Sequence, residues 1–216
     1  MKTIYSGGTA EIVEKKSRFI ATVRPAASEE EAAAFIAETK KKYWDARHNC
    51  SAFIVGENPQ TSRCSDDGEP AQTAGRPMLD VLLGEGLCNV AVVVTRYFGG
   101  VLLGTGGLVR AYQRAVREGL LASTVIERRE GIRLSVGTDY TGLGRLQHLI
   151  AQRELALIHT LYTEKAELLL VVPVEERRAV EQEIVEATNG TAAISWGEQV
   201  SYGMIENNLK IFEKTT

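Results

Sequence analysis

The chain has few of the residues that build disulfide frameworks, metal sites or membrane spans. It contains 216 residues and only three cysteines, Cys50, Cys64 and Cys88. Their odd number and the lack of a CxxC motif indicate neither a disulfide framework nor a zinc site. No run approaches the roughly 18 apolar residues of a membrane span, and the N-terminus lacks the apolar core of a signal peptide. We therefore predict a cytoplasmic protein with reduced thiols, no bound metal or cofactor, and no membrane partner.

An excess of charge of either sign is also lacking, since the net charge is only −3. Residues 1–130 contain 17 basic residues (Lys and Arg) and 16 acidic residues (Asp and Glu), a balance of +1. Residues 131–216 contain 8 basic and 12 acidic residues, a balance of −4. The balance disfavours a generic polyanion binder. It predicts that any phosphate-facing surface belongs to the first part and that the acidic second part offers a surface to a protein partner.

The order of apolar patterns predicts an α+β protein with two domains, at residues 1–130 and 131–216. A chain of this length with 44% hydrophobic residues can bury a core in each. The first part is predicted to contain a hairpin around residues 15–17, a helix capped by Ser28, a strand at 49–55, a polar loop at 56–73, a short helix at 77–83, a strand at 90–95, a helix at about 105–121 and a strand near 125–136. From residue 131 the pattern is βαββαβ, which is typical of the ferredoxin-like arrangement.

A glycine-rich motif between Val92 and Tyr112 is the strongest functional signal. A buried strand runs into a loop with five glycines and then into a helix, whose first N–H groups are open to an anion. On that helix Arg110, Arg114 and Arg117 share the face opposite the apolar positions, and arginine forks match phosphate oxygens. The alternative is a solvated helix face whose arginines pair with surface acids. The residues predicted to bind nucleic acid or phosphate are Arg96, Tyr97, Gly99, Gly100, Gly104, Thr105, Gly106, Gly107, Arg110, Arg114 and Arg117.

The loop before the short helix concentrates carboxylates. Asp66, Asp67 and Glu69 could hold a divalent cation or supply an acid–base pair. The alternative is turn chemistry, in which the aspartates bond the local backbone and Glu69 or Thr73 caps the following helix. A second motif places His48 and Cys50 on one face of a strand, about 6–7 Å apart. They could form a catalytic nucleophile–base pair, but most such pairs are packing residues. The motif residues whose role stays open are Arg47, His48, Asp66, Asp67, Gly68, Glu69, Pro70 and Thr73.

Residues 47–52, 65–79 and 92–112 together resemble the bacterial YigZ/YvyE-like branch of the IMPACT family, and the resemblance covers essentially the whole chain. It implies a first domain with the fold of the second domain of ribosomal protein S-five, shared with small-molecule kinases of the GHMP type. It also implies a ferredoxin-like second domain similar to the last domain of elongation factor G. Eukaryotic members of the family regulate translation. The chain departs from the family pattern at Gln72 and Gln113, where glycine is common.

Two functions follow from these patterns. In the first, the protein is a non-catalytic, translation-associated regulator that binds RNA or the ribosome through its first domain. In the second, the kinase-like fold is literal: the glycine loop cradles a nucleotide phosphate and Asp66, Asp67 or Glu69 holds magnesium for phosphotransfer or hydrolysis. We favour the first, because kinases of that fold carry a hydroxyl pair in the phosphate loop and this loop offers only Thr105.

Overall fold

The computed structural model describes residues 1–56, 60–206 and 208–212. It divides the chain into two compact units, Met1–Glu127 and Arg128–Thr216. Both combine helices with antiparallel sheets, so the fold class is α+β as predicted. None of the helices in the described ranges is both long and apolar enough to cross a membrane.

The first unit is built on a five-stranded antiparallel sheet. Its strand order is β2-β3-β6-β4-β5, and β1 and β7 form a separate antiparallel pair. The elements are β1 (Lys2–Ser6), β2 (Thr9–Glu14), β3 (Ser17–Pro25), α1 (Glu29–Lys42), β4 (His48–Val55), β5 (Thr61–Ser65), α2 (Gly75–Gly84), β6 (Val90–Tyr97), α3 (Thr105–Leu121) and β7 (Thr124–Glu127).

Helices cover both faces of this sheet. Val92 and Val94 of the central strand β6 pack with α2 and α3, and Val93 packs with α1 on the other face. Successive side chains of a strand point to opposite faces. Arg96 therefore faces α3, whereas Tyr97 belongs to the α1 face, and the strand determines the orientation of both motif residues.

The structure confirms several local predictions and corrects others. The hairpin is β2 paired with β3, and the Ser28 side chain caps α1 by accepting from the Glu31 N–H. The polar loop expected at 56–73 contains the edge strand β5, and the pair β1–β7 was missed. The single strand expected near 125–136 is two strands: β7, and a second strand that begins at Arg129 and belongs to the other unit.

The second unit has the ferredoxin-like order βαββαβ with one further strand. Its sheet order is β12-β11-β8-β10-β9, all antiparallel. Leu134 and Leu168 of the sheet pack with Leu146 and Ile184 of the two helices. The elements are β8 (Arg129–Thr138), α4 (Tyr140–Gln152), β9 (Ala156–Tyr162), β10 (Ala166–Pro173), a 3-10 turn (Val174–Glu176), α5 (Arg177–Ala187), β11 (Ala193–Ile205) and β12 (Asn208–Phe212).

Candidate nucleic-acid interface

The register of the large sheet brings the three sequence motifs to one end of the first unit. On β6, Tyr97 pairs with Arg18 of β3, and Arg96 pairs with His48 of β4. Because β6 ends where β3 and β4 begin, the glycine loop, the β2–β3 turn and the segment before β4 meet there. We call this place the sheet end.

A buried polar network connects the motifs just inside the sheet end. Arg96 Nη1 donates to Glu69 Oε1 at 2.6 Å, and the Tyr112 hydroxyl donates to the same oxygen at 2.8 Å. The Arg96 guanidinium also lies against the rings of Phe19 and Phe98, with its Cζ 5.4 and 5.6 Å from their centroids. Arg96 is only 7% exposed. It therefore does not belong to the phosphate-facing surface predicted for it, because an inward strand position and the buried Glu69 engage its charge.

Cys50 completes this network as a buried thiol. Its thiol lies 3.0 Å from the Asp66 carbonyl oxygen and 3.3 Å from the Tyr112 hydroxyl. Burial raises the pKa of Cys50 to about 12 and also raises the pKa of Tyr112 far above its ordinary value. His48 donates from Nδ1 to the Asp67 carbonyl oxygen at 3.0 Å. The thiol therefore stays protonated, and the two side chains hold the carboxylate loop.

Asp66 caps the helix that follows the loop. Its Oδ1 accepts from the N–H groups of Ala74 and Gly75, and its Oδ2 accepts from the N–H of Gln72. Turn chemistry thus describes this carboxylate, although the sequence suggested Glu69 or Thr73 as the cap. Thr73 instead donates to the Pro70 carbonyl oxygen.

The other two carboxylates of the loop have separate partners. Asp67 accepts from Lys40 Nζ at 2.6 Å and from the Asn49 N–H at 2.7 Å, while Glu69 accepts from Arg96 and Tyr112. No group of three or more His, Cys, Asp or Glu side chains that could hold a metal ion occurs within the described ranges. The three carboxylates hold the loop against β4, β6 and α2 rather than converging on one point.

The two departures from the family pattern lie in different backbone conformations. Gln72 has a φ of +62°, in the left-handed region that glycine adopts most easily. Gln113 is half-buried within α3, where glycine would weaken the helix.

The glycine loop is held against the β2–β3 turn and leaves the start of α3 open. A Cβ on Gly99 would lie 2.0 Å from the Lys16 carbonyl carbon, so only glycine permits this approach. Gly104, with a φ of +74°, precedes the first helical residue, Thr105, and no side chain among the described residues caps that end. The first turn of α3 also contains no acidic residue. The helix therefore presents unoccupied N–H donors at its positive end.

A groove of about 260 Å³ lies between this helix and the β2–β3 turn. We call it the basic groove; its lining residues are Glu14, Lys15, Leu103, Gly107, Arg110, Ala111 and Arg114. Arg114 Nη1 lies 3.8 Å from Glu14 Oε2, and both side chains are largely exposed. Lys15, Arg110 and Arg117 form no ion pair with any residue that the structure describes. Arg117 is exposed on the same helix face but does not line the groove.

The structure thus separates the predicted site residues into an exposed and an inner set. Tyr97 donates to Asp45 Oδ1 at 2.7 Å. Two surface residues were not predicted from the sequence: Lys15 lines the groove because the β2–β3 turn lies beside α3, and Trp44 is almost fully exposed. The exposed predicted residues are Arg47, Gly68, Pro70, Gly100, Gly104, Thr105, Gly106, Arg110, Arg114 and Arg117; those half-buried or buried are His48, Asp66, Asp67, Glu69, Thr73, Arg96, Tyr97, Gly99 and Gly107.

Comparison with known proteins identifies the family. The chain matches the model of the Impact N-terminal domain over residues 15–120 and that of a domain of unknown function (DUF1949) over residues 136–191. IMPACT family member YvyE of Bacillus subtilis is 41% identical over 208 residues, which is 96% of each chain. The chain belongs to the IMPACT family. IMPACT family member YigZ of Escherichia coli is 38% identical over 161 residues, covering 74% of this chain and 79% of that protein.

Two solved structures resemble this IMPACT family chain. The crystal structure of a hypothetical protein has a TM-score of 0.57 and 32% identity, and covers 89% of this chain and 95% of its own. A structure described as the two-domain translational regulator Yih1 has a TM-score of 0.40 and 28% identity, covering 55% of this chain and 48% of its own. The matched Impact N-terminal range, 15–120, contains every site residue predicted from the sequence.

Proposed function

We propose that this IMPACT family protein binds RNA, free or within the ribosome, through the basic groove, and that it acts in translation as a non-catalytic regulator. The observation that carries the proposal is the convergence of unpaired Lys15 and Arg110 with the uncapped start of α3 on one groove. Guanidinium forks and helix N-terminal N–H groups are the donors that proteins use for phosphate oxygens.

The charges of the groove favour a phosphate backbone over a neutral ligand. Glu14 is the acid that lines it, and its contact with Arg114 is long and exposed. Such a surface pair contributes little free energy, about 0–1 kcal/mol, so a phosphate can replace the carboxylate. Arg117 extends the same exposed face beyond the groove, which suits an extended polyanion rather than a single small anion.

The contacts of the carboxylate loop support binding over phosphotransfer. Magnesium-dependent chemistry would need Asp66, Asp67 or Glu69 to offer oxygens toward a nucleotide. Each is already an acceptor for backbone N–H groups, Lys40, or Arg96 and Tyr112. Membership of the family supports the association with translation, and the acidic second unit is where we propose a protein partner.

The salt dependence of RNA binding tests this proposal. We expect the variant Arg110→Gln/Arg114→Gln/Arg117→Gln to bind RNA more weakly and to flatten the slope of log affinity against log salt concentration, by roughly 0.7 for each lost phosphate contact on a single strand. Fluorescence anisotropy of a short labelled RNA measures both quantities.

A charge-matched variant of the second unit is the control. Arg145→Gln/Lys165→Gln/Arg178→Gln removes the same net charge from exposed positions, and we expect it to leave the slope unchanged. Equal slopes for the wild-type protein and both variants would make Arg110, Arg114 and Arg117 an ordinary solvated helix face.

A further inference from the structure

The sheet end carries exposed aromatic rings in addition to its cations. Trp44 is 83% exposed and Phe98 is 52% exposed. The Tyr97 hydroxyl donates to Asp45 Oδ1 at 2.7 Å. In the sequence, Trp44 directly precedes Asp45, and Phe98 directly follows Tyr97. This bond ties the segment before β4 to the end of β6. Both rings therefore lie at the sheet end, Phe98 against Arg96 and Trp44 next to the Tyr97–Asp45 bond.

The Phe98 ring is supported from within the protein. The Arg96 guanidinium lies near this ring, with Cζ 5.6 Å from its centroid, and the buried Glu69 fixes that guanidinium. A supported ring loses little further freedom when a flat ligand stacks on it. Half of the Phe98 side chain remains available for such a contact.

Cations without acidic partners flank both rings. Gly99, next to Phe98, donates its N–H to Ser17 Oγ at 3.2 Å, which holds the Lys15–Lys16 turn beside the ring. Near Trp44 in sequence, Lys41 and Arg47 are exposed. In the part of the chain that the structure describes, none of these four cations forms an ion pair.

We propose that Trp44 and Phe98 stack on unpaired bases, so that the RNA bound at the basic groove is single-stranded. This inference rests on the proposed function and adds the class of RNA. A duplex buries its base faces between neighbouring pairs and offers a ring little to stack on, whereas every unpaired base has an open face. Rings interleaved with unpaired cations suit a ligand that is both flat and anionic, and they suit a neutral apolar protein surface less well.

The experiment compares one short labelled RNA of mixed sequence, alone and annealed to its complement. Anisotropy gives both affinities, and the emission of Trp44 is read in a Trp196→Phe background, which leaves it as the sole tryptophan. We expect the single strand to bind at least about tenfold more tightly than the duplex, and we expect it to quench Trp44 emission.

Ring variants separate stacking from charge. We expect Trp44→Ala and Phe98→Ala each to weaken single-strand binding by about tenfold without changing the salt slope, because neither ring carries charge. Trp44→Phe keeps a ring and should keep most of the affinity. Leu121→Ala is the matched control, because Leu121 is as exposed as Trp44 but lies at the far end of α3.

The outcomes distinguish this inference from the proposed function. Equal or tighter duplex binding, or unchanged Trp44 emission at saturation, overturns the stacking assignment while arginine-dependent binding can still hold. Binding of neither RNA form by the wild-type protein overturns both. The inference is supported if the ring variants keep a folded circular dichroism spectrum but lose affinity, and if RNA quenches Trp44 emission in the Trp196→Phe protein.

Discussion

Arg96 and Arg114 each face a glutamate in the first unit, but one pair is buried and the other is exposed. Arg96 Nη1 lies 2.6 Å from Glu69 Oε1, and the two side chains are 7% and 3% exposed. Arg114 Nη1 lies 3.8 Å from Glu14 Oε2, and those side chains are 59% and 43% exposed. Arg96 lies in the glycine-rich motif, and Arg114 follows that motif on α3. The comparison teaches that arginines close together in sequence differ in role: one holds the fold from inside, whereas the other is exposed.

The difference in burial determines whether each arginine can exchange its glutamate for another partner. Removing one partner of a buried pair leaves an uncompensated charge in a low-dielectric interior, whereas water and salt replace an exposed partner easily. Arg96 is therefore fixed by Glu69, and through it the glycine loop, the carboxylate loop and Tyr112 of α3 are held together. The exposed Arg114–Glu14 pair is the one that we propose to exchange its carboxylate for a phosphate.

The largest predicted effect breaks the buried pair. We expect Glu69→Gln to lower the free energy of unfolding by about 3 kcal/mol or more, because the Arg96 charge stays buried without its counter-ion. Urea denaturation followed by circular dichroism measures the change. In the matched variant Glu14→Gln the free energy of unfolding should change by less than about 0.5 kcal/mol. Similar losses in the two variants would mean that burial does not distinguish the pairs.

Alkaline pH should weaken the buried network next. The pKa of Cys50 is about 12 in the fold, against about 8.5 in an unfolded chain. Only the unfolded thiol ionises as pH rises between these values, so stability is full below about 8.5 and falls toward 12. Tyr112, whose pKa is also raised by burial, acts in the same direction.

A cysteine variant isolates the thiol contribution to this pH dependence. Between about pH 8 and pH 10.5, we expect the free energy of unfolding of Cys50→Ala to fall by about 2.5 kcal/mol less than that of the wild-type protein. Urea midpoints at the two pH values give the difference. Cys64→Ala is the control, because this thiol is exposed. If the free energy of unfolding of Cys50→Ala fell at alkaline pH as much as that of the wild-type protein, Cys50 would not be the titrating group.

The exposure of the arginines on α3 could be predicted from the sequence, but the buried Arg96–Glu69 pair could not. The 3.6-residue period of α3 places Arg110, Arg114 and Arg117 on its outer face, and the structure agrees. Strand alternation from Val92 and Val94 already indicates that Arg96 points inward. Its partner Glu69 is 27 residues away, and no local pattern encodes that contact. The edge strand β5 was missed because four of its five residues are exposed and give no apolar alternation.

The smallest predicted effect is a change in stability at Gln72, in the carboxylate loop that contains Glu69 of the buried pair. Gln72 has a φ of +62°, which costs a residue with a Cβ about 1–2 kcal/mol, partly offset by the greater backbone entropy that glycine loses on folding. We therefore expect Gln72→Gly to raise the free energy of unfolding by about 0.5–1 kcal/mol.

Gln113→Gly is the control: it lies within α3 and should lower the free energy of unfolding by about 1 kcal/mol. Because Gln72 does not line the basic groove, RNA affinity should stay the same in Gln72→Gly. A destabilised Gln72→Gly variant would show that the Gln72 side chain, rather than its backbone conformation, matters to the carboxylate loop.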